Sequence, residues 1–267
     1  ASTVLTTEKG RIIDLLAVLN LGDYVLLITG PGSSLQGIRW IDKYTFVEDS
    51  TLQDVSESTC LISLLGPTAS SIVQKIFTTG IKTIHPHQSI KVSLSGIPIY
   101  LMRTDPLGTP GFDLFIATKF KDTVWASLVN AGAIQIGENT FDAIRIENGM
   151  PVYGKELRED YNPLEAGLMG SISFTKGCYI GQEVIARLDT YQKLKRHLVI
   201  LRFDACEEPE VGRTLFYNGK DVGLITSVAP VTTVKGTMAL GYVSKRASDV
   251  GSHLSLNLDS GVAGVIM

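Results

Sequence analysis

Lys176-Gly177-Cys178-Tyr179-Ile180-Gly181-Gln182-Glu183 is the stretch of this chain best suited to chemistry. It reads as a turn that presents a thiol. Gly177 and Gly181 admit backbone conformations that a Cβ resists. Lys176 stands two residues before Cys178, and a nearby cation favours thiolate over thiol. Glu183-Val184-Ile185-Ala186-Arg187-Leu188 then runs on with few breakers, as a helix or a strand would. In the helical case the turn sits at an N-terminus, where the dipole acidifies a cysteine further, and Arg187 can pair with Glu183 one turn back. Such a thiolate could ligate iron transiently, attack an electrophile, or be oxidised and recycled. Tyr179, Gln182 and Glu183 read as residues that hold the loop. The plainer alternative is a Gly-rich turn around a buried cysteine, because free Cys usually behaves as a small hydrophobe.

Other chemistries find less support. Cys60, Cys178 and Cys206 make an odd count without a CxxC pair, which argues against a disulfide framework and for a reducing compartment. Cys60 lies in an apolar run and is expected to be buried and slow to react. Cys206, like Cys60, reads as structural or incidental. Of four histidines only His85 and His87 are close in sequence, so no metal site is expected. The net charge of −3 leaves no global basic footprint for nucleic acid, and no run of about 18 apolar residues could span a membrane. The cluster Lys193, Lys195, Arg196 and His197 could attract an anionic tail or partner, with a solvated strand edge as the simpler reading.

The elements that must position the loop follow from periodicity and turn residues. The 267 residues suffice for one large domain or two to three small ones. Val4 to Thr7, Ile12 to Leu19 and Tyr24 to Thr29 read as strands, the last two joined at Gly22-Asp23. A helix follows to about Tyr44, capped by Ser33 or Ser34. Two strands and a helix suggest half of a ferredoxin-like, split βαβ unit. Thr45 to Val55 reads as a strand followed by a polar turn. Next come a strand from Cys60 to Gly66, a helix from Ala69 to Phe77 with Thr68 as cap, a hairpin across Ser95-Gly96, a strand from Gly111 to Ala117, and a helix from Lys121 to Ala131. Phe141 to Glu147 reads as a strand or a short helix, and Met150 to Gly170 as irregular. Beyond Lys193 the pattern is of short strands and glycine turns, with Asn218-Gly219 the strongest hairpin signal. That spacing predicts a small β-barrel. The fold class is α+β: two ferredoxin-like blocks, residues 1–55 with 141–192 and residues 56–140, followed by a barrel over 193–267.

The eight residues from Lys176 to Glu183 resemble the signature of the YgfZ family, folate-binding proteins that assist iron–sulphur cluster synthesis or repair and are relatives of the glycine cleavage T-protein, an aminomethyltransferase. Asn162-Pro163-Leu164-Glu165-Ala166-Gly167-Leu168 is similar to a segment shared with T-proteins, and Val222 to Ser227 and Leu240 to Val243 resemble parts of their C-terminal barrel. The resemblance implies a three-domain ring. It also implies that an N-terminal part is missing, because in the family a segment comparable to Thr6 through Leu16 lies well inside the first domain.

The resemblance implies a site for tetrahydrofolate or a derivative. Such a ligand needs an apolar slot, a carboxylate for the amino-pyrimidine edge of its pterin, and cations for its tail. Asp113, in Gly111-Phe112-Asp113, is similar to a T-protein strand ending in Gly, an apolar residue and Glu; otherwise it is an outward strand carboxylate. Arg103 and Arg145 could serve the tail or simply meet solvent. Glu147 and Glu165 resemble acidic positions of the T-protein pattern, and Glu165 needs a partner if buried. Ile12-Ile13-Asp14-Leu15 stands where T-proteins carry two adjacent acids. Asp14 remains as a possible folate contact or strand-end carboxylate, and Leu15 replaces the second acid, which weakens aminomethyl transfer.

Three functions compete. One is a folate-dependent accessory factor for iron–sulphur enzymes or their assembly, working through Cys178 and Lys176 without turnover of its own. A second is a tetrahydrofolate-dependent aminomethyl- or methyltransferase. A third is an interaction scaffold with a degenerate pocket. The expected partners are a reduced folate and iron–sulphur enzymes or assembly factors, with no nucleic acid and no membrane, and the expected state is a monomer. The cysteine usage suits a bacterial cytoplasm, or a mitochondrial matrix or plastid stroma.

Overall fold

The computed structural model describes residues 1–267 except 78–80, 82–83, 107–108, 192, 205–206, 232–235 and 259–262; Cys206 lies outside the described residues. The chain divides into two compact units. The first holds Ala1, Val18–Leu27 and Ser34–Ile136, and the second Ser2–Ala17, Ile28–Ser33 and Gly137–Met267.

The chain opens with a three-stranded sheet of order β1-β2-β3, built from β1 (Ser2–Thr6), β2 (Ile12–Asn20) and β3 (Val25–Ile28). β1 and β2 pair antiparallel from Ser2↔Ala17 to Thr6↔Ile12. Helix α1 (Ser34–Asp42) follows. Ser33 and Ser34, the two expected caps, donate their hydroxyls to Asp14 and Asp54. The strand expected within 45–55 does not form. Glu48 takes the Phe46 and Val47 amides, and Asp54 takes the Ser56 amide and hydroxyl. Such local side-chain bonds compete with a ladder, and Phe46 and Val47 stay exposed.

The rest of the first unit runs β4 (Thr59–Leu65), α2 (Ala69–Ile76), β5 (Ser89–Leu94), β6 (Ile97–Arg103), β7 (Gly111–Ala117) and α3 (Lys121–Asn130). The strands form an antiparallel sheet of order β4-β7-β6-β5. Alternate residues of these strands pack on both helices: Ile62 and Leu64, Ile99 and Leu101, Leu114 and Ile116 meet Val73 of α2 and Val124 of α3. Period-2 burial therefore leaves the opposite face, with Ser63, Asp113 and Phe115, outside this core. Thr68 precedes α2 without a side-chain capping bond.

The second unit, besides β1 and most of β2, contains α4 (Glu138–Glu147), α5 (Gln182–Thr190) and six further strands: β8 (Arg196–Phe203), β9 (Thr214–Tyr217), β10 (Lys220–Val228), β11 (Thr237–Ser244), β12 (His253–Leu254) and β13 (Gly264–Ile266). The segment expected as strand or helix is thus α4, and Ile146 packs it on Leu240 and Ala229. These six run β12-β13-β8-β11-β10-β9, and a Phe216↔Ser255 bridge joins the two ends into a near-barrel. Asn218 (φ 50°) and Gly219 (φ 69°) form the expected tight turn, with Tyr217 opposite Lys220. Residues 150–170 are mostly turns, yet Tyr161 to Ala166 are buried.

Candidate functional site

The thiol loop is built from both ends. Ser173 starts it by accepting the Thr175 and Lys176 amides on its hydroxyl at 3.4 and 3.1 Å. Phe174 to Cys178 then stand exposed, and the Cys178 thiol is free. Tyr179 turns back inward. Its amide donates to Gln182 Oε1 at 3.4 Å, and the Thr6 hydroxyl donates to the Ile180 carbonyl at 2.6 Å. Gly181 ends the loop in the left-handed region at φ 83° and begins α5, so the helical reading of Glu183 to Leu188 holds. A Cβ there would stand 2.6 Å from the Thr7 carbonyl oxygen, which reserves the position for glycine.

Several expectations about the loop need correction. Gly177 has neither a positive φ nor any atom within 4 Å of a would-be Cβ, so no conformational need for glycine shows there. The Lys176 ammonium also lies 4.9 Å from the Tyr179 ring centroid, a cation–π contact that the sequence reading did not include. Glu183 and Arg187 are both exposed and form no ion pair with each other. Cys60 is half-buried, and burial pushes its thiol pKa up against the opposing field of Lys121. The residues missed from sequence are Thr6, whose hydroxyl holds the loop from 174 positions away, and Thr7, whose carbonyl oxygen lies against Gly181. No local pattern marks them.

Asp113 occupies the face of the four-stranded sheet that carries neither α2 nor α3. The Ser63 hydroxyl donates to its Oδ1 at 2.6 Å. Met102 is its register partner on β6, and Tyr100 and Phe115 pair two residues along with ring centroids 6.5 Å apart. Burial raises the Asp113 pKa above the usual carboxylate range, and the Ser63 bond opposes that. Ser63 was a second partner that sequence reading missed, although its β4 register identifies it once the sheet is known.

The remaining candidates are committed elsewhere. Arg103 grips Asp105 with Nε and Nη2 and donates Nη1 to the Ile84 carbonyl at 3.0 Å, so it is a loop clamp. Arg145 is fully buried, contrary to the expected tail cation or surface residue. Its Nε meets Asp142 at 2.5 Å, Nη1 meets the buried Glu156 at 3.3 Å, and Nη2 donates to Ser227 at 2.9 Å. Asp14 is also buried. Its carboxylate accepts the Gly30 amide at 2.8 Å, the Ser33 hydroxyl at 2.5 Å and the Leu15 amide at 2.8 Å, and so holds a turn rather than a ligand. Glu147 is exposed at the end of α4. Glu165 is buried and accepts the Asn162 amide at 3.2 Å, the structural partner its burial requires.

Two family models account for most of the chain. The GCVT N-terminal domain matches residues 1–176, and the glycine cleavage T-protein C-terminal barrel domain matches residues 196–263. The chain belongs to the glycine cleavage T-protein family. A chloroplastic protein of Arabidopsis thaliana that bears a transferase name is 33% identical over 99% of this chain. An aminomethyltransferase of Desulforamulus reducens is 31% identical over 93% of it. The chain spans 60% of the plant relative's length and 69% of the bacterial one's. The glycine cleavage aminomethyltransferase T of Bartonella henselae superposes over 99% of this chain and 73% of its own with a TM-score of 0.83 at 19% identity, which shows a shared fold. The α+β architecture with its C-terminal near-barrel is thus a T-protein fold.

Proposed function

We propose that this chain binds a reduced folate, tetrahydrofolate or a derivative. The observation that carries the reading is Asp113. A half-buried carboxylate, fixed by Ser63 and set beside Met102, Tyr100 and Phe115, has the chemistry that the amino-pyrimidine edge and flat ring of a pterin require. The residues present therefore fit the cofactor. Bound there, a reduced folate would supply a carrier for a one-carbon unit; Asp113 would orient it through its amino-pyrimidine edge. With Arg103 and Arg145 engaged, the cations for a tail must come from other side chains.

Two uses of the folate follow. Relatives named aminomethyltransferases support one-carbon transfer more directly than any other role. The second reading is an accessory role for iron–sulphur enzymes in the manner of YgfZ proteins, and the exposed Cys178 within its eight-residue signature favours it. Asp14 being held by three donors, with Leu15 beside it, also argues against T-protein turnover on those residues. The chloroplastic relative supports a plastid stroma over a bacterial cytoplasm as the place of work.

Calorimetry with tetrahydrofolate and its 5-formyl derivative tests the common proposal. Saturable binding lost in Asp113→Ala is expected, and no heat at millimolar ligand would overturn it. Methylene-tetrahydrofolate formed from an aminomethylated lipoyl carrier would select the transferase reading. Failure of Cys178→Ser to support an iron–sulphur enzyme in cells lacking the native protein would select the other.

A further inference from the structure

We propose that Arg11, Arg158 and Arg196 form a binding site for a multivalent anion, one that uses neither Cys178 nor Asp113. Three distant segments of the second unit supply it: Arg11 from the turn after β1, Arg158 from the irregular stretch after α4, and Arg196 from the start of β8. Of the basic cluster read from sequence around residues 193–197, the fold thus selects Arg196 and regroups it with two arginines that the sequence keeps far away.

The geometry leaves positive charge poorly answered. Glu165, buried beneath the cluster, lies 3.8 Å from Arg11 Nη1 and 3.5 Å from Arg196 Nε. Both distances exceed a hydrogen bond, so one carboxylate is shared by two cations without satisfying either. Asp160 pairs with Arg158 at 2.7 Å, and its carbonyl accepts Arg11 Nη1 at 3.1 Å. Three guanidiniums therefore face two carboxylates. Each guanidinium carries five N–H donors, and the Arg196 guanidinium makes no hydrogen bond among the described residues. The side chains of Arg11, Arg158 and Arg196 are 40%, 46% and 38% exposed, so a ligand from solvent can reach them.

The cluster also has a rigid floor. Tyr161 is buried and stacks on Tyr242 with centroids 3.5 Å apart and planes 14° from parallel. The guanidinium carbons of Arg158 and Arg196 stand 5.6 and 5.3 Å from the Tyr161 ring, which steadies both forks. Planar forks held in this way match the oxygens of a phosphate or a carboxylate. Phosphate groups and polycarboxylates share that chemistry. A second or third negative charge lets such a ligand compete with Glu165 and Asp160 for donors they leave unused.

Calorimetric titration of the full chain at low ionic strength, with sodium pyrophosphate and separately with citrate, tests the proposal. One saturable site is expected, weakening as salt is added. Arg196→Met should weaken it about tenfold or more, as loss of a charge-assisted bond implies, and Arg196→Lys should retain part of the affinity because the charge stays while the fork is lost. Circular dichroism checks the fold of each variant; should Arg196→Met fail to fold, Arg158→Met makes the same test at the exposed rim. Binding of pyrophosphate alone identifies a phosphate-bearing ligand, and binding of citrate a polycarboxylate. The absence of saturable heat with either anion at millimolar concentration, or affinities within twofold of wild type in the folded arginine-to-methionine variants, overturns it.

Discussion

Gly181 and Thr7 meet backbone to backbone: a Cβ at position 181 would stand 2.6 Å from the Thr7 carbonyl oxygen, on a residue already at φ 83°. Gly181→Ala must therefore both enter the left-handed region and push the turn after β1 aside. A loss of about 2–4 kcal/mol in denaturant unfolding is expected. Gly177→Ala, which meets nothing within 4 Å, should stay within about 0.5 kcal/mol. Equal losses for the two would refute this account of the loop.

The two described cysteines should differ in reactivity. Cys178 is exposed, while Cys60 is half-buried with its pKa raised by burial. An alkylating reagent near neutral pH should mark Cys178 first, read by peptide mass mapping. Labelling of Cys60 should grow only as pH rises toward its elevated pKa, because the thiolate is the reactive form.

Asp113 should show opposite effects on stability and binding. Its folded pKa lies above the unfolded value of about 3.9. The associated stability is then full below that unfolded value and is lost as pH rises through the folded one. Asp113→Asn keeps an acceptor for Ser63 and removes the titration. Its stability relative to wild type should improve as pH rises above about 4 while its folate affinity falls. A variant that loses both together would mean that Asp113 is chiefly structural.

Arg145→Met should behave as a core mutation. It strips a fully buried cation from Glu156, leaving that carboxylate with the Val152 amide and the Thr226 and Ser227 hydroxyls. Breaking a buried pair by removing one partner costs roughly 3–5 kcal/mol. Chemical denaturation should show that loss. A near-neutral result would indicate that the three remaining donors satisfy Glu156 by themselves.

The sequence by itself determined what is local. Apolar runs placed β4, β6 and β7, Asn218-Gly219 placed the β9–β10 turn, and Gly181 marked a turn ahead of a segment left open between helix and strand, because apolar runs and positive-φ turns need only a few neighbours to be specified. Residues 138–147 stayed ambiguous between strand and helix until packing of Ile146 on Leu240 decided them. The fate of each charge was settled only by tertiary structure. Arg145, Asp14 and Glu165 read as ligand contacts or solvated groups, yet each is buried against partners that include distant residues: Ser227 for Arg145, Ser33 for Asp14, Arg11 and Arg196 for Glu165. Burial makes a charge costly unless it is paired, and which segments arrive to pair it is a property of the whole fold that no window of sequence contains.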